Sequence, residues 1–184
     1  MDKFIMRLSA DIKRITADKN IAREIGTVAV KHYSENFDKE GFVNGGLQPW
    51  KDVKRRDPSS PWYGFDYKGE KRKNYPIRKG KSGKRLKRQK KLNYSNVATK
   101  RKILQGSTGE LKRSLAYRVE RVDSRKMVIS ISSDKKYAAI HNYGGAIRVF
   151  GKATVKLPAR PFVGYSRELT GKINRIIQRN LFKK

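Results

Sequence analysis

The chain has 184 residues, of which 36% are apolar and 15 are glycine, enough to bury one core but also consistent with a long insertion. Its 46 Lys and Arg outnumber 16 Asp and Glu, for a formal net charge of +30, and it holds no cysteine. A disulfide framework and a thiolate metal site are therefore excluded, and assembly in a reducing cytosol is the natural expectation.

The chain opens on two helical patterns. Phe4, Leu8, Ile12 and Ile15 recur at three- and four-residue spacing, with Asp2 and Arg7 interrupting the apolar run, so neither a signal peptide nor a membrane span is expected there. Asp18 is a candidate N-cap for a second helix whose stripe contains Ile21, Ile25, Val28, His32 and Phe37, with Gly41, Gly45 and Gly46 ending the helical region. A lone histidine on such a stripe reads as a packed, hydrogen-bonded core residue. Pro49-Trp50 reads as a turn followed by an aromatic anchor, with Trp50 covering a sheet edge.

The middle of the chain holds more than half of the excess charge. Residues 1–50 carry 8 basic and 7 acidic side chains, residues 51–102 carry 20 and 4, and residues 103–184 carry 18 and 5. Asp57-Pro58-Ser59-Ser60-Pro61 reads as a turn or linker, because each proline removes a donor and restricts its predecessor. Trp62 to Tyr67 places four aromatics in six residues. Aromatics beside Lys and Arg stack bases or pin an insertion onto its surroundings, and pinning is the favoured reading, because they precede the basic run rather than alternate with it. The run itself, Lys79, Lys81, Lys84, Arg85, Lys87, Arg88, Lys90 and Lys91, has little beyond Leu86 to bury, so a mobile arm is expected. Such a block contacts nucleic acid or an acidic partner through its charge, or serves only as a solvated segment; both readings stay open.

Strands dominate the second half. Ser107-Thr108-Gly109-Glu110 starts a short helix that Leu111 and Ser114 continue, with Gly109 permitting a bend and Ser107 or Thr108 capping. Residues 116–122 and 127–132 alternate with period two around Asp123-Ser124, which predicts a hairpin, and Val149-Phe150 with Thr154 to Leu157 predicts a second pair joined at Gly151. Tyr137, Ala138 and Ile140 predict a short helix or turn, ended by positive φ at Gly144 and Gly145. Pro158 and Pro161 stiffen a turn, Phe162 plugs the core, and Arg160 points out or pairs with a neighbour. Leu169, Ile173, Ile176, Ile177 and Leu181 make a closing amphipathic helix. The expected fold is α+β: N-terminal amphipathic helices and a C-terminal helix packed on an antiparallel β-sheet, with residues 1–56 and 103–184 forming the core domain and 57–102 a basic insertion.

No catalytic constellation emerges. Gly80-Lys81-Ser82 ends like a phosphate-binding loop, but Tyr75 stands where the first glycine belongs. His32 and His141 are far apart in sequence and lack clustered carboxylates, so neither a metal site nor a nuclease centre is expected, and no cofactor. At His141 a hydrogen-bonding role at the glycine turn is the expectation. Glu110 and Glu168 read as helix N-terminal charges.

Three segments carry a resemblance: ILQGSTGELKRSL (Ile103 to Leu115), YAAIHNYGG (Tyr137 to Gly145) and LPARPFVGYS (Leu157 to Ser166). In this order they resemble the phage virion morphogenesis family, the tail-completion and neck proteins of tailed bacteriophages. Gly45 to Val53, with Trp50, is similar to that family's segment after its first helices, and the resemblance covers the chain except roughly residues 57–101. It implies a non-enzymatic virion protein at the neck or tail end, assembled in the host cytoplasm. It further implies a homo-oligomer, often a ring, that bridges tail tube and connector, with no membrane involvement. On the basic insertion the family pattern is silent, and lining the DNA passage or gripping an acidic partner both stay open; the alternative to the virion reading is a basic nucleic-acid-binding protein without ring assembly.

Overall fold

Asp18 organises the start of the described chain: its Oδ1 accepts the N–H of Asn20 and of Ile21 from an extended conformation, satisfying two donors that a helix start leaves open. The computed structural model describes residues 12–71, 93–106, 108–149 and 153–181. Residues 12–16 are helical; the expected stripe at Phe4 and Leu8 lies outside the described residues. The elements then run α1 (Lys19–Lys39), β1 (Gly41–Val43), β2 (Leu47–Pro49), β3 (Phe65–Lys71), β4 (Asn93–Tyr94) and α2 (Asn96–Lys100). They continue with α3 (Glu110–Arg113), β5 (Leu115–Val122), β6 (Met127–Ser133), α4 (Ala138–Tyr143), β7 (Gly145–Val149), β8 (Ala153–Leu157) and α5 (Arg167–Leu181). The mixture is α+β, as the sequence pattern implies.

The end of α1 differs from the expectation. Glu40, not a glycine, adopts the left-handed conformation (φ 52°) that closes the helix, while Gly41 begins β1 and Gly45 and Gly46 form the turn into β2. The chain divides into two compact units, residues 1–51 with 104–184 and residues 52–103. The first boundary thus falls at Lys51, ahead of the Asp57-Pro58 turn.

In the larger unit α1 is covered on two sides. One side meets the β5–β6 ribbon, whose register from Leu115↔Ser133 to Val122↔Met127 turns Leu115, Tyr117 and Ile129 to the same face. Gly26 makes this approach possible, because a Cβ there would sit 2.3 Å from the Tyr117 ring. Asp123 closes the ribbon by accepting the N–H of Arg125 and Lys126. On the other side, α5 adds Ile176 to a cluster with Ile15, Ile21 and Ile25, flanked by Ile173, Ile177 and Leu181. Truncating one such isoleucine costs about 2–5 kcal/mol.

The antiparallel strands that the pattern predicts form as small sheets. Among the described residues the strands make four separate two-stranded antiparallel ribbons, β1–β2, β3–β4, β5–β6 and β7–β8. Period-two alternation identifies an extended segment but not its neighbours, and each hairpin here pairs only with itself.

The described residues of the smaller unit are tied together by arginine side chains. Arg55 donates to the carbonyls of Ala98, Arg101 and Lys102, Arg56 donates to Arg101 O, and Arg101 pairs with Asp66 at 2.8 Å. Guanidinium forks here replace apolar burial as the organising contact. Asp57 Oδ1 accepts from the N–H and hydroxyl of Ser59, which makes the expected turn. Trp62 stands edge-on to Phe65 and Tyr63 tilts against Tyr94, so these rings pair within their own unit. The eight cations from Lys79 to Lys91 lie outside the described residues.

Candidate functional site

The sequence motifs converge on residues 158–166, a strap that runs from the end of β8 to the start of α5. Gly144 (φ 73°) sets its beginning: a Cβ there would lie 2.7 Å from Ala159 N and 3.0 Å from Leu157 O, so only glycine lets the end of α4 abut the strap. Two residues earlier, Asn142 is 5% exposed. Its Oδ1 accepts the N–H of Phe162 (2.9 Å) and of Val163 (3.0 Å), and its Nδ2 donates to Val163 O (3.1 Å). A buried amide thus imitates a strand partner for a loop that has none.

From the opposite side α1 supplies three more clasps. Asn36 Nδ2 donates to Phe162 O while its Oδ1 accepts Val43 N–H, Tyr33 Oη donates to Gly164 O at 2.6 Å, and His32 Nε2 bonds Ser166 Oγ at 2.9 Å. Trp50 Nε1 donates to Pro161 O at 2.8 Å, and Arg160 Nε donates to Lys51 O at 3.0 Å. Phe162 completes the core against Phe37 (ring centroids 5.1 Å apart), which in turn meets Trp50 edge-on at 5.6 Å. Trp50, expected to cover a sheet edge, sits in the core with its indole N–H spent on the strap. Of the two readings of Arg160, pointing out or pairing with a neighbour, the second holds: it is 6% exposed and inside the same network.

Ser166 and Glu168 finish the strap. Ser166 Oγ accepts Leu169 N–H, capping α5, and donates to Glu168 Oε2, while Glu168 Oε1 takes the N–H of Gly45 and Gly46. These contacts, first among them the residue's own N–H, hold the Glu168 carboxyl below its ordinary value. A buried serine beside a histidine would invite a nucleophilic reading. Its oxygen is occupied as the cap of α5 and it also bonds the Glu168 carboxylate and the imidazole, so its contacts are those of a joint between α1, the strap and α5.

His141 departs from its expected role. Its ring stands edge-on to Tyr137 at 5.8 Å, but its Nδ1 is buried without a hydrogen-bond partner, and only its main-chain O joins the strap, accepting Arg160 N–H. Burial, and then the nearby Arg160 charge, lower its pKa, which keeps the ring neutral. His32 is lowered likewise, first by burial and then by Lys172. Among the described residues no group of three or more His, Asp or Glu is placed to hold a metal ion, and no helix is long and apolar enough to cross a membrane.

The first motif sits elsewhere in the unit. Gly109 (φ 65°) is itself the N-cap position of α3, so Thr108 does not cap, and Ser107 lies outside the described residues. Leu111 is buried, and Ser114 Oγ bonds Ser133 Oγ at 2.6 Å beside an open recess of about 590 Å³ that Glu110, Arg113 and Lys135 also line.

The strap leaves a distinctive surface outside itself. Tyr143, next to the buried Asn142, is 78% exposed, and Tyr165, next to the clasped Gly164, is 71% exposed. Sequence reading passed over Asn36, Asn142 and Tyr33. The one available signal was an asparagine one residue before Phe37 on an apolar stripe, and nothing distinguished Asn142 from a surface polar residue.

A model of the phage virion morphogenesis family matches residues 71–182. The match includes the three motif segments and also the basic run, and it leaves Trp50 and the helices before it outside. No curated protein and no solved structure matches the chain.

Proposed function

Since the chain belongs to the phage virion morphogenesis family, and so serves phage virion assembly, we propose that it acts in tail completion or head–tail joining, as a ring-forming structural component of the neck or tail end near the DNA passage. The observation that carries this reading is the clasped strap and the surface it orients. Six buried or half-buried side chains (His32, Tyr33, Asn36, Trp50, Asn142 and Arg160) are spent on fixing one loop, and the residues beside the clasps are exposed tyrosines, the residue type that interfaces favour. Four two-stranded ribbons also leave strand edges open, which neighbouring copies in a closed ring would cover. The partners in this reading are further copies of the chain and other tail, neck or connector proteins. No step of it requires catalysis.

Light scattering on the full chain tests it. The expected mass is a fixed multiple of the 21.2 kDa protomer, reduced to the protomer by the double substitution Tyr143→Ser and Tyr165→Ser. A wild-type protein that stays a protomer at every concentration counts against the ring.

The charge of +30 favours a second reading, nucleic-acid binding without ring assembly. Lys71 and Asn93 are paired across β3–β4, so residues 72–92, with 11 Lys and Arg, can be exchanged for an Asn-Gly turn that closes the hairpin. If that run holds DNA, the slope of log affinity against log salt drops by up to about 10, from roughly 0.9 per phosphate contact.

A further inference from the structure

We propose that the β7–β8 ribbon is a second DNA-contacting element, separate from the basic run, with its polar face against duplex phosphates; the choice of DNA over an acidic protein rests on the placement near the DNA passage argued above. Register divides the ribbon cleanly. Ala146↔Lys156 and Arg148↔Thr154 lie on one face, and Gly145↔Leu157 and Ile147↔Val155 on the other. The first set is exposed throughout, so the cations are segregated from the apolar side chains.

Charge supplies the complementarity. From Lys135 to Arg167 the chain has seven Lys and Arg and no acidic residue. Elsewhere in this unit several cations have a carboxylate partner: Lys112 with Asp38, Lys172 with Glu35, and Arg179 with Glu24. Arg148 and Lys156 have no such partner among the described residues. On a diagonal of an antiparallel pair their Cα atoms stand roughly 7–8 Å apart, and a two-stranded ribbon is narrow enough to enter the major groove of B-DNA. An exposed ribbon with two unmatched cations, no carboxylate and an opposite apolar face presents one charged side to a polyanion.

The test uses the full chain and a fluorescent 30-base-pair duplex of arbitrary sequence, with affinity followed by anisotropy across a salt series. Arg148→Ala with Lys156→Ala should lower the slope of log affinity against log salt by about 1.8, two contacts at roughly 0.9 each. The same charge removed at two other exposed cations, Lys31→Ala with Arg125→Ala, should leave the slope unchanged. Equal slope changes in the two double variants would overturn the proposal, since net charge alone would then explain them. So would an unchanged slope in the ribbon variant, which spares DNA binding by other parts of the chain. A ribbon variant that loses the oligomer but keeps the slope also overturns it, by making the face a contact between copies. Absence of any DNA binding by the wild-type chain removes both this inference and the placement near DNA.

Discussion

The strap at residues 158–166 and the β7–β8 ribbon just before it are neighbours in sequence and opposites in construction. In the strap, main-chain groups from Pro161 to Gly164 are held by buried side chains from α1, α4 and the Trp50 segment. In the ribbon, the cations are unmatched and one face is open to solvent. A buried polar network is costly unless complete, and a complete one specifies a single geometry. The strap therefore reads as the part that fixes shape, and the ribbon as a part left available to partners.

The sharpest way to break this contrast is to empty the clasp. Asn142→Ala leaves the N–H of Phe162 and Val163 and the carbonyl of Val163 without partners, and Phe162→Ala opens a cavity against Phe37; each should cost about 3–5 kcal/mol. Urea denaturation of each variant reads this directly, and a loss below about 1 kcal/mol would mean the strap is not held as described. Gly144→Ala comes next, at about 2–3 kcal/mol, from a left-handed φ and a Cβ forced against Ala159 N. Trp50→Phe removes the donor to Pro161 O along with part of the ring volume against Phe37, and the lost hydrogen bond alone should cost about 1–2 kcal/mol.

Acid should act through the same region. His32 and His141 are both held below the ordinary histidine value of 6.5 by burial first, then by Lys172 and Arg160 respectively. The unfolded chain, with ordinary histidines, takes up protons below about pH 6.5 that the folded chain refuses. Their contribution is thus fully present above that pH and is lost as pH falls below it. The urea midpoint should drop between pH 7.5 and pH 5, and His141→Gln should shrink the drop; a variant with an undiminished drop would remove His141 from the account. At the far end of the scale, Arg148→Ala with Lys156→Ala should change stability by less than about 0.5 kcal/mol, since both side chains are exposed and unpaired.

Local structure was legible in the residues, and assembly of that structure was not. Asp18 could be read as a cap because its chemistry acts within three residues, and the β5–β6 hairpin because period two and an Asp-Ser turn are local signals. The motif segments also pointed to their family before any geometry was known. What the residues did not carry was long-range: alternation does not encode which strands meet, and among the described residues the antiparallel strands form four separate ribbons. For Arg160 the residues left two readings open, pointing out or pairing with a neighbour, because the carbonyl it serves, on Lys51, lies 109 residues away. Arg55 and Arg56, which no sequence signal singled out, knit the smaller unit through main-chain carbonyls. His141 misled in the other direction, since nothing local announces that a buried ring nitrogen goes without a partner.

Amide hydrogen exchange on the full chain tests the central contrast most directly. The N–H groups of Phe162 and Val163, bound by Asn142, should exchange only through global unfolding, while those of Ala146 to Arg148 in the exposed ribbon exchange orders of magnitude faster. Asn142→Ala should then collapse protection at the strap and leave the ribbon as it was. Ribbon amides as slow as the strap's in the unassembled chain, or strap amides indifferent to Asn142, would contradict the division between a part that fixes shape and a part that waits for partners.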